Sequence, residues 1–76
     1  MIKIAYLTEE QYSLIVGQMN TEYSTFGIMQ DDQTSQYYVT EIDIINTNVI
    51  EFSWIKYLEL VDLPEYEQYK FKLNAI

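Results

Sequence analysis

The chain opens on an alternation. Ile2, Ile4 and Tyr6 are separated by Lys3 and Ala5, the period-two pattern of a short strand. A helix start follows. Thr8 is a good N-cap residue and Gln11 stands three positions on, which completes a capping box. Glu9 and Glu10 fall in the first turn, where the helix dipole favours negative charge. Leu7 and Tyr12 occupy the two positions of a hydrophobic staple. Tyr12, Ile15, Val16 and Met19 then recur at helical spacing and Asn20 is a stop signal, so the pattern predicts a helix over 9–19. Gly17 inside it costs about 1 kcal/mol relative to alanine, a cost that close packing on a sheet would explain.

Residues 24–30 read as a second strand, with Phe26 and Ile28 on one face. The polar run Asp31-Asp32-Gln33-Thr34-Ser35 is a turn, and Tyr37-Tyr38-Val39 begins a third strand, so the pair forms a β-hairpin. Thr40-Glu41-Ile42-Asp43 repeats the capping pattern. It favours a short helix over 41–46 against a strand continuing through Ile42 and Ile44. Asn46-Thr47-Asn48 makes a turn. Val49 to Leu63 is the most apolar stretch, and neither a 3.6 nor a 2.0 period fits all of it. A break near Trp54 divides it into a turn over 49–52 and one or two strands over 54–63, which Pro64 ends. In 65–76, Tyr69, Phe71 and Leu73 alternate with Lys70 and Lys72, as in an arm that adds to another sheet or in a final edge strand. The expected architecture is α+β: one domain over 1–64, then 65–76 as arm or edge strand. The domain is a small antiparallel sheet of roughly three to five strands with helix 9–19 packed on it and a second short helix near 41–46.

Composition narrows what such a domain does. A chain of 76 residues holds one domain at most, and it buries only about 60% of the surface its unfolded form exposes. Cysteine is absent, which excludes disulfides, and histidine is absent, which removes the usual zinc ligands. Self-association or permanent docking on a larger partner is the remaining support. The hydrophobic fraction of 49% and the eight tyrosines point to a folded chain. Excess tyrosine suits surfaces that are half core and half interface, although AT-rich coding gives the same excess. Twelve acids against four lysines, with no arginine, give a net charge of −8. That balance argues against nucleic acid and against anionic membrane surfaces, both of which require a basic patch. It favours basic partners, and it would let the chain imitate DNA if the carboxylates lined one face. Residues 1–8 are too short and polar for a signal peptide, and no apolar run approaches a membrane span. The expectation is a chain that stays inside a cell or is packaged into a particle assembled there.

Catalytic chemistry finds little to stand on. Without imidazole or thiol the common acid–base and nucleophile sets are missing. The acid pairs Glu9–Glu10, Asp31–Asp32 and Glu65–Glu67 remain, but domains this short rarely build the sugar cleft that paired carboxylates serve. Asp31 and Asp32 lack the alternating ligand spacing of a calcium loop, and Gly17 and Gly27 form no phosphate-cradling loop. No catalytic residue, cofactor or metal is therefore expected. Trp54 is either the largest core residue or an interface anchor. Tyr66, Tyr69 and Phe71 lie outside the clear core pattern and are candidates for a partner-binding surface, together with Asp31 and Asp32.

An ordered set of short motifs adds a resemblance. It runs Leu7-Thr8-Glu9-Glu10-Gln11, Gly27-Ile28-Met29-Gln30-Asp31, Tyr37-Tyr38-Val39-Thr40-Glu41, Thr47-Asn48, and Phe52-Ser53-Trp54-Ile55-Lys56-Tyr57-Leu58-Glu59-Leu60-Val61. The set resembles small proteins of tailed phages of gut Bacteroidetes, crAss-like phages among them, which carry an Ile-Gln-Asp turn and an F-x-W-[IV]-K-x-L-x-L-[IV] segment. It covers residues 7 to 64, with Gly27-Ile28-Met29 where the pattern places proline before the turn and Asn48-Val49 where it places Asn-Pro. The resemblance implies phage origin and a place on the virion, as a head fibre or capsid-associated accessory protein. Its partners would be other virion proteins, and its location the virion assembled in the host cytoplasm. It brings no catalytic residues. The charge suggests an alternative, an acidic phage-encoded inhibitor of a basic host defence or transcription protein. The acids are spread through the chain, which favours the structural role.

Overall fold

In the computed structural model, which describes residues 2–18, 27–47 and 50–71, the alternation at the start of the chain becomes an inner strand. β1 is Lys3–Leu7, β2 Met29–Gln30, β3 Tyr37–Thr40 and β4 Val61–Asp62, joined in one antiparallel sheet of order β2-β3-β1-β4. β1 pairs with β3 from Ile4–Thr40 to Leu7–Tyr37, and with β4 through Lys3–Asp62 and Ile4–Val61. The expected hairpin is present, with Met29 opposite Tyr38 and Gln30 opposite Tyr37. Its first strand is shorter than the expected 24–30. Gly27 and Ile28 precede the ladder, while 24–26, including Phe26, lie outside the described residues.

Both faces of the sheet are covered, and this distinguishes the fold from a one-sided sheet. Ala5, Leu7 and Val39 point to one face and join Ile15, Ile44, Phe52 and Ile55 in the larger core. Ile4 and Tyr38 point to the other and form a second cluster with Leu63, flanked by Tyr6, Met29, Val61 and Phe71.

The helices begin as their caps dictate. For α1, Glu9–Gln18, the Thr8 N–H donates to Gln11 Oε1 at 2.8 Å and the Gln11 N–H donates to Thr8 Oγ1 at 3.1 Å. For α2, Glu41–Asn46, Thr40 Oγ1 accepts the Asp43 N–H at 3.3 Å. Ile15 and Ile44 anchor the two helices in the larger core. Gly17 is exposed, and a Cβ there would meet nothing within 4 Å. Close packing on the sheet therefore does not explain it.

Two segments depart from expectation. Residues Ile50–Tyr57 form a 3₁₀ helix with a break at Phe52 (φ −108°, ψ 15°), so the strand expected over 54–63 shrinks to Val61–Asp62. The reason is a period of three. Phe52 and Ile55 are buried and Leu58 packs against the same core, while Ser53 and Lys56 are exposed. Three residues per turn is the 3₁₀ repeat, which puts Phe52 and Ile55 on one side of this helix, and it does not match a strand. Trp54 is half-buried against this core.

The second departure is Glu65–Phe71. It is a 3₁₀ helix and neither an arm nor an edge strand, and Phe71 packs on the Ile4–Tyr38–Leu63 cluster. This segment belongs to the same folded unit as 1–64. The apolar side chains on that sheet face gain about 1.5–3 kcal/mol each from burial, more than the few tenths that strand alternation offers an exposed terminus. Leu73 and the rest of 72–76 lie outside the described residues. No described helix is long and apolar enough to cross a membrane.

Candidate functional site

The turn after β2 is built around one carboxylate. The Asp31 N–H donates to Gln36 O at 2.8 Å and the Ser35 N–H to Asp31 O at 2.9 Å, closing a short loop in which Ser35 takes a left-handed φ of 65°. Asp31 Oδ1 accepts the backbone N–H groups of Gln33 (2.8 Å) and Thr34 (2.9 Å), the local bonding that makes aspartate a turn residue. The carboxylate is 1% exposed. Its Oδ2 accepts two phenols, Tyr6 at 2.7 Å and Tyr66 at 2.9 Å.

A second buried acid lies beside it. Glu67 is 0% exposed. Its Oε1 accepts the Tyr38 hydroxyl at 2.7 Å and Lys70 Nζ at 2.7 Å, and its Oε2 accepts the Asp32 N–H at 2.9 Å. Residues three apart eclipse on a 3₁₀ helix, so Glu67 and Lys70 stand side by side. Lys70 also donates to Asp32 Oδ1 at 3.0 Å and to the carbonyl of Gln30 on edge strand β2 at 2.6 Å. The Tyr69 hydroxyl closes the set on Asp32 Oδ2 at 2.6 Å. The rings of Tyr6 and Tyr38 meet edge to face at 5.8 Å.

The electrostatics follow from these partners. Burial alone raises the Asp31 pKa, but the N–H of Thr34, the Tyr6 hydroxyl, the N–H of Gln33 and the Tyr66 hydroxyl outweigh it and bring the value down to about 2. For Glu67, burial again pushes up, and Lys70, Tyr38 and the Asp32 N–H together pull the pKa below the usual range. Asp32 is lowered by the Tyr69 hydroxyl and by Lys70. The tyrosines move the other way. Tyr6 and Tyr38 are raised first by burial and then by their bonds to Asp31 and Glu67. Tyr66 and Tyr69 are raised by their bonds to Asp31 and Asp32. Lys70 is raised above its ordinary value, foremost by Glu67.

Buried carboxylates persist only when their oxygens are occupied by donors, as here. With its lowered pKa and occupied oxygens, Asp31 is a weak base, and Glu67 is committed to a cation. The arrangement acts as a fastener that ties the C-terminal 3₁₀ helix to the turn after β2. Among the described residues no three acidic side chains are placed to hold a metal ion.

Four of the five residues expected at a partner surface therefore come together in two pairs: the Tyr66 hydroxyl donates to the buried Asp31 and the Tyr69 hydroxyl to the exposed Asp32. Tyr66 and Tyr69 keep exposed ring area, whereas Phe71 packs under the sheet and joins no hydrogen bond of this cluster. Sequence reasoning missed Tyr6, Tyr38, Glu67 and Lys70. The spacing of Glu67 and Lys70 hints at their pairing. Nothing in the chain links Glu67 to Tyr38, 29 residues away.

Among the described residues, two cavities lie apart from this cluster. One, of about 270 Å³, is bounded by Leu7, Thr8, Glu9 and the loop 34–37. It adjoins Tyr37, whose ring stacks on Tyr12 at 3.7 Å. The other is an apolar notch of about 300 Å³ between the start of β1, the start of α2 and Phe71. Asp31, Asp32 and Glu67 line neither. Beside the notch, Ile42 and Ile45 of α2 are 69% and 66% exposed, and Ile50 and Tyr57 are exposed on the neighbouring 3₁₀ helix. No family model matches the chain, and no curated protein or solved structure is significantly similar to it.

Proposed function

We propose that the protein is a non-enzymatic interaction component that works docked on other proteins, and that its place is a phage particle, as a head fibre or capsid-associated accessory protein. The observation that carries the docking role is the pair Ile42 and Ile45, two-thirds exposed and one helical turn apart beside an apolar notch. Small domains gain little from burying only part of their apolar surface, and contiguous exposed aliphatic groups mark contact sites. The particle assignment is supported by the ordered motifs between Leu7 and Val61. Mass spectrometry of particles purified from the phage that encodes the chain is expected to find it at a fixed copy number. Its absence from particles overturns the assignment.

The net charge of −8 favours a second reading, an acidic inhibitor of a basic host protein. Against it, Asp31 and Glu67 are buried, and Asp32 and Asp62 are ion-paired with Lys70 and Lys3, which removes carboxylates from any DNA-like display. Capture from host lysate of a single basic protein, released as salt rises, would favour the inhibitor.

A further inference from the structure

The β1–β3 ladder stops at Ile4–Thr40, because the chain turns into α2 at Glu41 and leaves the sheet. β1 extends one residue further to Lys3, and its other side stays occupied: Lys3 pairs with Asp62, and the Leu63 N–H donates to Ile2 O at 2.9 Å. Where the ladder stops there is a notch of about 300 Å³, lined by the apolar Ile2, Ile42 and Phe71 together with Thr40, Lys3 and Glu41. That volume lies at the small end for ligand sites and suits one or two apolar side chains.

Among the described residues that line the notch, the charges do not cancel. The Lys3 ammonium is 2.6 Å from Asp62 and is engaged there. Glu41 has no ion-pair partner among the described residues. Lys70 is likewise tied to Glu67 and Asp32, so two of the four lysines are neutralised locally on a chain of net charge −8. Such a field attracts cationic segments and repels a second copy carrying the same charge. Ile45, three residues beyond Ile42 on α2, is also exposed.

We propose that this notch binds an extended segment of a protein partner, in which an apolar anchor residue fills the space between Ile2, Ile42 and Phe71 and a flanking lysine or arginine meets Glu41. The proposal rests on the reading of the chain as a docking protein and names the surface and chemistry of its partner. It stands apart from the particle assignment: finding the chain in particles does not rescue a notch that fails to bind, and binding does not rescue the assignment.

The test is titration of the full ¹⁵N-labelled chain with three short peptides: one alternating lysine with valine and leucine, one alternating lysine with serine, and one alternating glutamate with valine and leucine. The first is expected to shift the amide signals of Ile2, Lys3, Thr40 to Ile42 and Phe71, and to bind at least about tenfold more tightly than either control. Ile42→Glu, at an exposed position, is expected to weaken that binding by about tenfold or more with the fold's spectrum otherwise kept. Glu41→Gln is expected to weaken it less and to flatten its salt dependence. Equal binding of the two lysine peptides, or shifts centred elsewhere, overturns the proposal. So does a dimer in light scattering that Ile42→Glu abolishes, because the occupant is then a second copy.

Discussion

Glu67→Gln tests the cluster at its centre. The side chain is fully buried, and its two oxygens accept Tyr38, Lys70 and the Asp32 N–H. Glutamine keeps the shape but offers one acceptor and places an NH₂ group against donors. At least one bond is lost outright, and the Lys70 ammonium loses its nearest buried anion. Hydrogen bonds to charged groups are worth about 1.5–3 kcal/mol each, and removing one partner of a buried pair costs about 3–5 kcal/mol. A chain of 76 residues has a total stability of roughly 4–11 kcal/mol at the usual value per residue. The substitution is thus expected to remove about a quarter or more of it. Urea unfolding followed by the fluorescence of Trp54, the sole tryptophan, reads this directly, since that ring packs on the larger core. Tyr38→Phe is expected to cost about 1–2 kcal/mol, because Glu67 keeps its two other donors. The double variant should fall short of the sum by about 1 kcal/mol or more. A loss below about 1 kcal/mol for Glu67→Gln, or strict additivity with Tyr38→Phe, refutes the claim that this carboxylate fastens the C-terminal helix.

Further outcomes follow from the same geometry. The lowered pKa values of Asp31, Asp32 and Glu67 mean that their stabilisation is complete above the ordinary carboxylate range and fades as pH falls through the folded values. For Asp31 the window runs from 3.8 down to about 2, so acid unfolding followed by circular dichroism should begin only below about pH 4. Tyr6 and Tyr38 are raised above 10.0, so their contribution is complete below that pH and is lost only in stronger base. Stability should therefore be nearly flat through neutrality. Thr47 is buried and its Oγ1 has no hydrogen-bond partner among the described residues, so Thr47→Val should raise stability by about 1 kcal/mol in the same urea assay. Thr8→Ala breaks the reciprocal capping bonds of α1 and should lower stability by about 1 kcal/mol, with a matching loss of helical signal.

What the sequence determined by itself is local. Thr8 with Gln11, and Thr40 before Asp43, set the starts of both α-helices, because a cap is satisfied within four residues. The polar run from Asp31 to Ser35 set the hairpin turn for the same reason. Alternation in Ile2–Tyr6 identified β1, but it could not say that both of its faces are buried, because alternation does not report what lies opposite Ile4 and Tyr6. The period of three in Phe52, Ile55 and Leu58 was present in the chain and was masked by the aromatic and branched residues around it, whose strand propensity depends on context. The site divides along the same line. Asp31, Asp32, Tyr66 and Tyr69 stood out as candidates for a partner surface but not as partners of one another, and Glu67, Lys70, Tyr6 and Tyr38 did not stand out. A carboxylate three residues after Pro64 in the polar run Glu65-Tyr66-Glu67-Gln68 reads as solvated charge. Only the tertiary structure, by laying Glu65–Phe71 across the open sheet face, takes Glu67 out of water and obliges Tyr38 and Lys70 to meet it.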